Sequence, residues 1–228
     1  MRAVIWDFNG VVIDDEDIHG GAFAVVLTEL GLELTLARYY ERYLGLDDWG
    51  FFRAALTDLR GNAPAADEVD ALVERKADAY AALLPADFAL IDGAEALIRS
   101  TAAAGPIAIA SGARRREIEA VLARFDLARC FTAVVSADEV EHGKPDPEGY
   151  RKAWQGLAAV HAGLAPADCL VIEDAPPGIR AAHAAGMRCV AVATSRERTE
   201  LAEADAVVDT LVGLDAQRLW QLVAAPPG

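Results

Sequence analysis

The 228-residue chain is 54% hydrophobic, with a mean hydropathy of +0.19, enough apolar material for one substantial core or for a core with a smaller second domain. Its 21 basic and 36 acidic residues leave a formal charge of -15, which argues against a nucleic-acid partner and against adhesion to anionic membranes; solubility is the plain reading of the acidity. No stretch approaches the roughly 18 apolar residues of a membrane helix, and the cysteines Cys130, Cys169 and Cys189 form no CxxC pair, so free thiols in a reducing, cytoplasmic setting are expected.

Arg2 alone precedes the first apolar run, which is neither a signal peptide nor an anchor. That run, Ala3-Val4-Ile5-Trp6, reads as a buried strand ending at Asp7. Residues 15–87 then show only helical periodicity. Phe23, Val26, Leu27 and Leu30 share one stripe, and Val69, Leu72, Val73, Lys76, Ala77 and Tyr80 another. Trp49, Phe51 and Phe52 belong to the core of this block, with one of them open to a pocket-lining role. Asn62-Ala63-Pro64 interrupts the block, and Asp67 is a candidate cap for the helix that follows. Lys76 reads as a surface residue whose stem lies along apolar neighbours.

Beyond residue 88 short apolar runs return: Ile107-Ala108-Ile109-Ala110, Ala133-Val134-Val135, Leu170-Val171-Ile172, Val190-Ala191-Val192 and Ala206-Val207-Val208. Amphipathic stretches such as Glu117 to Phe125 and Pro177 to Ala185 separate them, and the closing Ala-Ala-Pro-Pro-Gly reads as a frayed tail. Strand-helix alternation with runs apolar on all sides predicts an α/β fold, a doubly wound parallel (Rossmann-like) sheet. Residues 1–14 and 88–228 are expected to form this core, and residues 15–87 an inserted α-helical cap.

Ligands of such sheets bind at the carboxyl ends of the strands. Four strand ends carry polar residues there: Asp7-Phe8-Asn9-Gly10, Ser111-Gly112, Gly143-Lys144-Pro145-Asp146-Pro147 after the third run, and Glu173-Asp174-Ala175. Singly, each has a plain structural reading as a turn cap, a loop or a surface acidic pair. Together they supply the parts of a phosphoryl transfer. Asp7 is a candidate nucleophile that forms an acyl phosphate. Asp7 and Asp174, with a backbone carbonyl and waters, give the hard oxygen shell that Mg²⁺ prefers. Ser111 offers a hydroxyl beside backbone N–H groups, and Lys144 a positive charge.

Asp-Phe-Asn-Gly-Val, Ser-Gly, Gly-Lys-Pro-Asp-Pro and Glu-Asp-Ala-Pro-Pro-Gly-Ile followed by Ala-Ala-Gly-Met resemble the four ordered motifs of the haloacid-dehalogenase-like superfamily. Spacings of 104, 33 and 30 residues between Asp7, Ser111, Lys144 and Asp174 resemble its subgroup of β-phosphoglucomutase and phosphoglycolate phosphatase. The resemblance implies a Mg²⁺-dependent phosphatase of a small phosphorylated metabolite, a sugar phosphate being one candidate. It further implies Asp7 as nucleophile and Asp174 as metal ligand with Glu173 beside it. The Asn9 carbonyl would be another ligand, Ser111 and Lys144 would hold the phosphate, and the cap would choose the substrate. A monomer or weak dimer without a nucleic-acid or membrane partner is expected. A phosphomutase, or a weakly catalytic phosphometabolite-binding regulator, stands as the alternative.

One position departs from the pattern. The family's phosphatases and mutases carry Asp two residues after the nucleophile as general acid and base, and here that residue is Asn9. A carbonyl ligand survives the change, but an amide side chain does not shuttle a proton at neutral pH. Four explanations are open: a substitute group (His19 or the run Asp14, Asp15, Glu16, Asp17), a substitution introduced to trap substrate, a poorly catalytic binder, or deamidation at Asn9-Gly10. His19 has an equal reading as a packed helix residue. Arg114 and Arg115, next to Ser111 and Gly112, are candidates for a second anionic group of the substrate or for plain ion pairing with Glu119.

Overall fold

The structure, a computed structural model, describes residues 2–44 and 46–224. Six apolar runs form one sheet: β1 (Ala3–Trp6), β2 (Ile107–Ala110), β3 (Ala133–Val135), β4 (Cys169–Glu173), β5 (Arg188–Val192) and β6 (Ala206–Val208). Their order is β3-β2-β1-β4-β5-β6, and every neighbouring pair runs parallel. The doubly wound sheet expected from the alternation is therefore present. β1, β2 and β4 are buried along their whole length, as strands covered on both faces must be. Ile5 and Val171 pack into one cluster with Tyr150, Ala153 and Leu157.

The chain winds outward from β1 through β2 to β3, then crosses over and winds outward the other way through β4, β5 and β6. The winding reverses between β1 and β4, whose register pairs Ile5 with Val171 and Trp6 with Ile172. At such a reversal the flanking connections part on opposite faces and leave a crevice beyond the strand ends.

The chain divides into two compact units, Met1–Asp14 with Ala89–Gly228, and Asp15–Phe88. The second unit is helical: α1 (Glu16–Glu29), α2 (Leu36–Arg42), α3 (Asp48–Arg60) and α4 (Ala66–Leu83). Its core stacks Phe23 on Phe51 at 3.6 Å between centroids, with Phe52 edge-on to both. Trp49 is half-buried against this cluster. The helices of the sheet unit are α5 (Ala94–Ala104), α6 (Arg115–Arg124), α7 (Glu148–Val160), α8 (Pro176–Ala184) and α9 (Ala216–Ala224). Among the described residues no helix is long and apolar enough to cross a membrane. Cys169 and Cys189 are buried free thiols, and Cys130 is free and half-buried.

Two local expectations are corrected. Asp67 does not cap α4; Ala65 holds that position without a side-chain bond, and Asp67 lies in the first turn, where its charge faces the positive end of the helix. Lys76 is not a surface residue but is 0% exposed. Its Nζ lies 2.9 Å from Asp48 Oδ1 and 2.7 Å from His19 Nδ1, over the rings of Phe23 and Tyr80. A buried ammonium is tolerable only with such partners. In the frayed-tail expectation, Ala224 closes α9, and residues 225–228 lie outside the described residues.

Candidate active site

β1 does not stop at its last sheet residue. The Asp7 N–H donates to the Ile172 carbonyl at 2.9 Å, so the pairing with β4 carries Asp7 to the end of that strand. The chain then folds back on itself: the Phe8 carbonyl accepts from the N–H groups of Val11, Val12 and Ile13, and the Gly10 N–H donates to the Ile13 carbonyl at 2.8 Å. Gly10 sits at φ 73, and a Cβ there would overlap the Asp174 carboxyl group. A residue without a side chain is required on both counts.

The ends of β1 and β4 thereby bring three carboxylates together: Asp7, Glu173 and Asp174, all buried, with ligand-capable atoms within 4.8 Å of one another. Lys144, delivered by the connection between β3 and α7, places its Nζ 2.6 Å from Asp7 Oδ1 and 2.7 Å from Glu173 Oε1. It also lies over the Tyr150 ring, 5.0 Å from the centroid. Glu173 is the hub of this arrangement. Its Oε1 also accepts from Tyr150 Oη at 2.9 Å, and its Oε2 accepts from the N–H groups of Asp174 and Ala175. Gly178 in α8 leaves room for the side chain, since a Cβ there would overlap it.

One ammonium faces three carboxylates, and the protonation equilibria reflect it. Burial, with help from the Glu173 charge and against the pull of Lys144, pushes Asp7 up to about 7. Burial and the charges of Glu173 and Asp7 hold Asp174 well above the usual carboxylate range, although Ser195 and Lys144 oppose them. For Lys144 burial works in the opposite direction, yet the two carboxylates outweigh it and keep the ammonium charged beyond the usual lysine range.

An excess of buried negative oxygen is the setting in which a divalent cation gains most, and an all-oxygen donor set suits Mg²⁺. The residues present therefore fit the ion that the motifs imply: Asp7 and Asp174 would hold it, with the Asn9 carbonyl. Glu173 already accepts two hydrogen bonds on each oxygen and would have to give one up to join them.

Ser111 lies at the end of β2, its N–H donating to the Val135 carbonyl at 3.0 Å. Its Oγ accepts from the Ala113 N–H at 3.0 Å and donates to Asn9 Oδ1 at 3.4 Å, so the second motif meets the first. Gly112 is exposed, with open space around its α-carbon. The arginines are engaged elsewhere. Arg114 Nε donates to Asp138 Oδ1 at 2.6 Å, and Arg115 pairs with Glu139, with Glu119 and with the Val134 carbonyl. They tie α6 to the β3 side of the sheet, contacts that fit the ion-pairing reading, the pair with Glu119 included.

His19 belongs to the helical unit, where both ring nitrogens are engaged. Lys76 Nζ donates to Nδ1, which leaves the proton on Nε2, 3.3 Å from Asp15 Oδ2. Of the acidic run, Asp15 accepts from Tyr80, Glu16 from Tyr39 and Asp17 from Tyr40. These contacts fit the packed reading of His19 and of the run better than an acid-base one.

Sequence reasoning missed Tyr150, Thr194 and Ser195. Ser195 Oγ donates to Asp174 Oδ2, and Thr194 Oγ1 to the Gly10 carbonyl. For the two hydroxyls the available signal was their position directly after a predicted strand, at the same sheet edge as the motifs.

A family model described as a haloacid dehalogenase-like hydrolase matches residues 1–186. Fructose-1-phosphate phosphatase YqaB of Escherichia coli (strain K12) is 32% identical over 83% of this chain and 95% of its own length. Validoxylamine A 7'-phosphate phosphatase of Streptomyces hygroscopicus subsp. limoneus is 35% identical over 92% of this chain and 94% of its own length. A longer relative, Protein SUPPRESSOR OF QUENCHING 1 of Arabidopsis thaliana, is 34% identical, and the match spans 19% of it. Among solved structures, CbbY from Rhodobacter sphaeroides in complex with phosphate superposes with a TM-score of 0.81 at 25% identity, covering 94% of this chain and 96% of that one.

Proposed function

Because the chain belongs to the haloacid dehalogenase-like hydrolase family, we propose that it is a Mg²⁺-dependent phosphatase of a small phosphorylated metabolite, a sugar phosphate being the favoured class, acting through an aspartyl phosphate on Asp7. The observation that carries this reading is the meeting of Asp7, Lys144 and Asp174 at the point where the sheet reverses its winding. Full-length relatives named for phosphatase action on fructose-1-phosphate and on validoxylamine A 7'-phosphate support the substrate class.

In this reading the substrate phosphate enters the crevice at the ends of β1 and β4. Lys144 aims Asp7 and favours its ionised form against the effect of burial, and it shares its charge with a phosphate oxygen. Ser111 and the N–H groups that follow it donate to another. The Asp7 carboxylate attacks phosphorus, the P–O bond to the metabolite breaks, and the leaving oxygen takes its proton from solvent water, so that the metabolite departs as the alcohol. Water then attacks the aspartyl phosphate, loses a proton, and releases phosphate with Asp7 restored. Mg²⁺, when held by Asp7, Asp174 and the Asn9 carbonyl, would supply positive charge to the phosphate oxygens. The helical unit serves as the cap that selects the metabolite.

Both steps move a proton, and Asn9 does not move one. General acid-base catalysis contributes about 10²–10⁴-fold, so this chain turns over slowly on esters with poor leaving groups. A metabolite-binding role with low turnover is the second reading, and Asn9 is the residue that favours it.

The test compares the unmodified chain with Asn9→Asp on a phosphate-ester panel with Mg²⁺. p-Nitrophenyl phosphate and acetyl phosphate, whose leaving groups need little protonation, are expected to react best with the unmodified chain, and phosphate is expected to accumulate on Asp7. An Asp7→Asn protein with full activity would refute the nucleophile. Equal rates for the unmodified chain and Asn9→Asp would place the proton work on another residue.

A further inference from the structure

Two consecutive hydroxyls just beyond β5 reach Asp174 and the turn at Gly10. Ser195 Oγ donates to Asp174 Oδ2 and lies 3.3 Å from the Asp174 carbonyl oxygen. Thr194 Oγ1 donates to the carbonyl of Gly10, one residue beyond Asn9. β5 neighbours β4 in register, with Glu173 opposite Ala191, so the end of β5 delivers both hydroxyls to the edge where Asp174 sits. The two side chains are exposed and face a cavity of about 460 Å³ with Arg196. They are not part of the hydrophobic core, so packing does not account for their contacts.

We propose that Ser195 and Thr194 are positioning residues of the cation site: Ser195 fixes the Asp174 carboxylate, and Thr194 fixes the turn that presents the Asn9 carbonyl. This rests on the reading that Asp7, Asn9 and Asp174 hold Mg²⁺. A carboxylate in a crowd of negative charge swings away unless something holds it. A cation placed there would compete with Mg²⁺, whereas a neutral hydroxyl restrains the group without competing. With Oδ2 engaged by Ser195, Asp174 keeps Oδ1 for the ion. The Thr194 bond acts on the other ligand, because the Gly10 turn, already constrained by its positive φ, is pinned on its outer side. Removing donors that orient metal ligands typically costs about 10–100-fold in metal affinity.

The experiment titrates Mg²⁺ calorimetrically into the metal-free unmodified chain and into Ser195→Ala, Ser195→Thr and Thr194→Val, and follows metal-free melting of each. Ser195→Ala and Thr194→Val are expected to weaken Mg²⁺ binding about tenfold or more with metal-free melting unchanged. Ser195→Thr, which keeps the donor, is expected to stay within about threefold of the unmodified chain. Unaltered affinity in both hydroxyl-free variants overturns the proposal, as does a loss of affinity that tracks a loss of metal-free stability and is not rescued by threonine. Absence of Mg²⁺ binding by the unmodified chain overturns the cation site itself, and so separates that failure from this one.

Discussion

Asp7 is held where its own charge is unwelcome, and replacing it by asparagine should expose the cost. In the metal-free protein the Asp7 carboxyl is pushed from 3.8 to about 7, by burial above all. Between those values the folded chain binds a proton that the unfolded chain has lost, so stability falls as pH rises. Each pH unit across that window is worth about 1.4 kcal/mol for one proton. From pH 5 to pH 7 the ionisation of Asp7 therefore removes roughly 2–3 kcal/mol, and little more is lost above pH 7. In Asp7→Asn the amide keeps an oxygen for Lys144 Nζ, which lies 2.6 Å from Asp7 Oδ1, and carries no charge. Urea unfolding in EDTA should show Asp7→Asn more stable than the unmodified chain at pH 8, with an advantage about 2–3 kcal/mol smaller at pH 5. Mg²⁺ should narrow that advantage at pH 8. An ion at 100 times its Kd adds about 2.7 kcal/mol to the protein that binds it, and only the unmodified chain keeps the full ligand set. An Asp7→Asn protein that is less stable at pH 8 without metal, or an advantage that does not change with pH, would refute the reasoning.

Lys144→Met leaves three carboxylates without their ammonium and should destabilise the metal-free protein by about 3–5 kcal/mol, read by urea unfolding at pH 8, with partial recovery at pH 5. Gly10→Ala forces a left-handed residue with a methyl group against the Asp174 carboxyl; calorimetry should find Mg²⁺ binding weakened more than about tenfold. Lys76→Met leaves Asp48 buried without its ammonium and should cost about 3 kcal/mol in urea unfolding, whereas a surface lysine would cost under about 0.5. Tyr150→Phe removes one donor from Glu173 and should cost about 2 kcal/mol in the same assay.

The sheet was legible because its strands are covered on both faces and therefore apolar without interruption, a pattern that needs no knowledge of partners. The gathering of Asp7, Ser111, Lys144 and Asp174 followed from motif order and from the rule that ligands sit at strand ends. Other features depended on contacts that no local pattern encodes. Lys76 lies on an apolar stripe, and its burial becomes intelligible only once Asp48 and His19 are known to face it. Arg114 and Arg115 sit beside Ser111 in sequence, but Asp138 and Glu139 draw them toward β3. Ser195 and Thr194 follow an unremarkable strand, and their meaning comes from the neighbouring strand's end.

The place of β1 in the sheet also bears on how the chain is made. Val4 pairs with Ile107 on one side and with Leu170 on the other. The strand that carries Asp7 therefore leaves the ribosome well before either neighbour and waits for both, an apolar ribbon with two bare edges. The helical unit, Asp15–Phe88, is one contiguous stretch that packs on itself, and it can complete its core while that wait continues. Chains halted before β4 would carry a finished helical unit beside a sticky, half-paired sheet, so premature termination should yield aggregates rather than partly active enzyme.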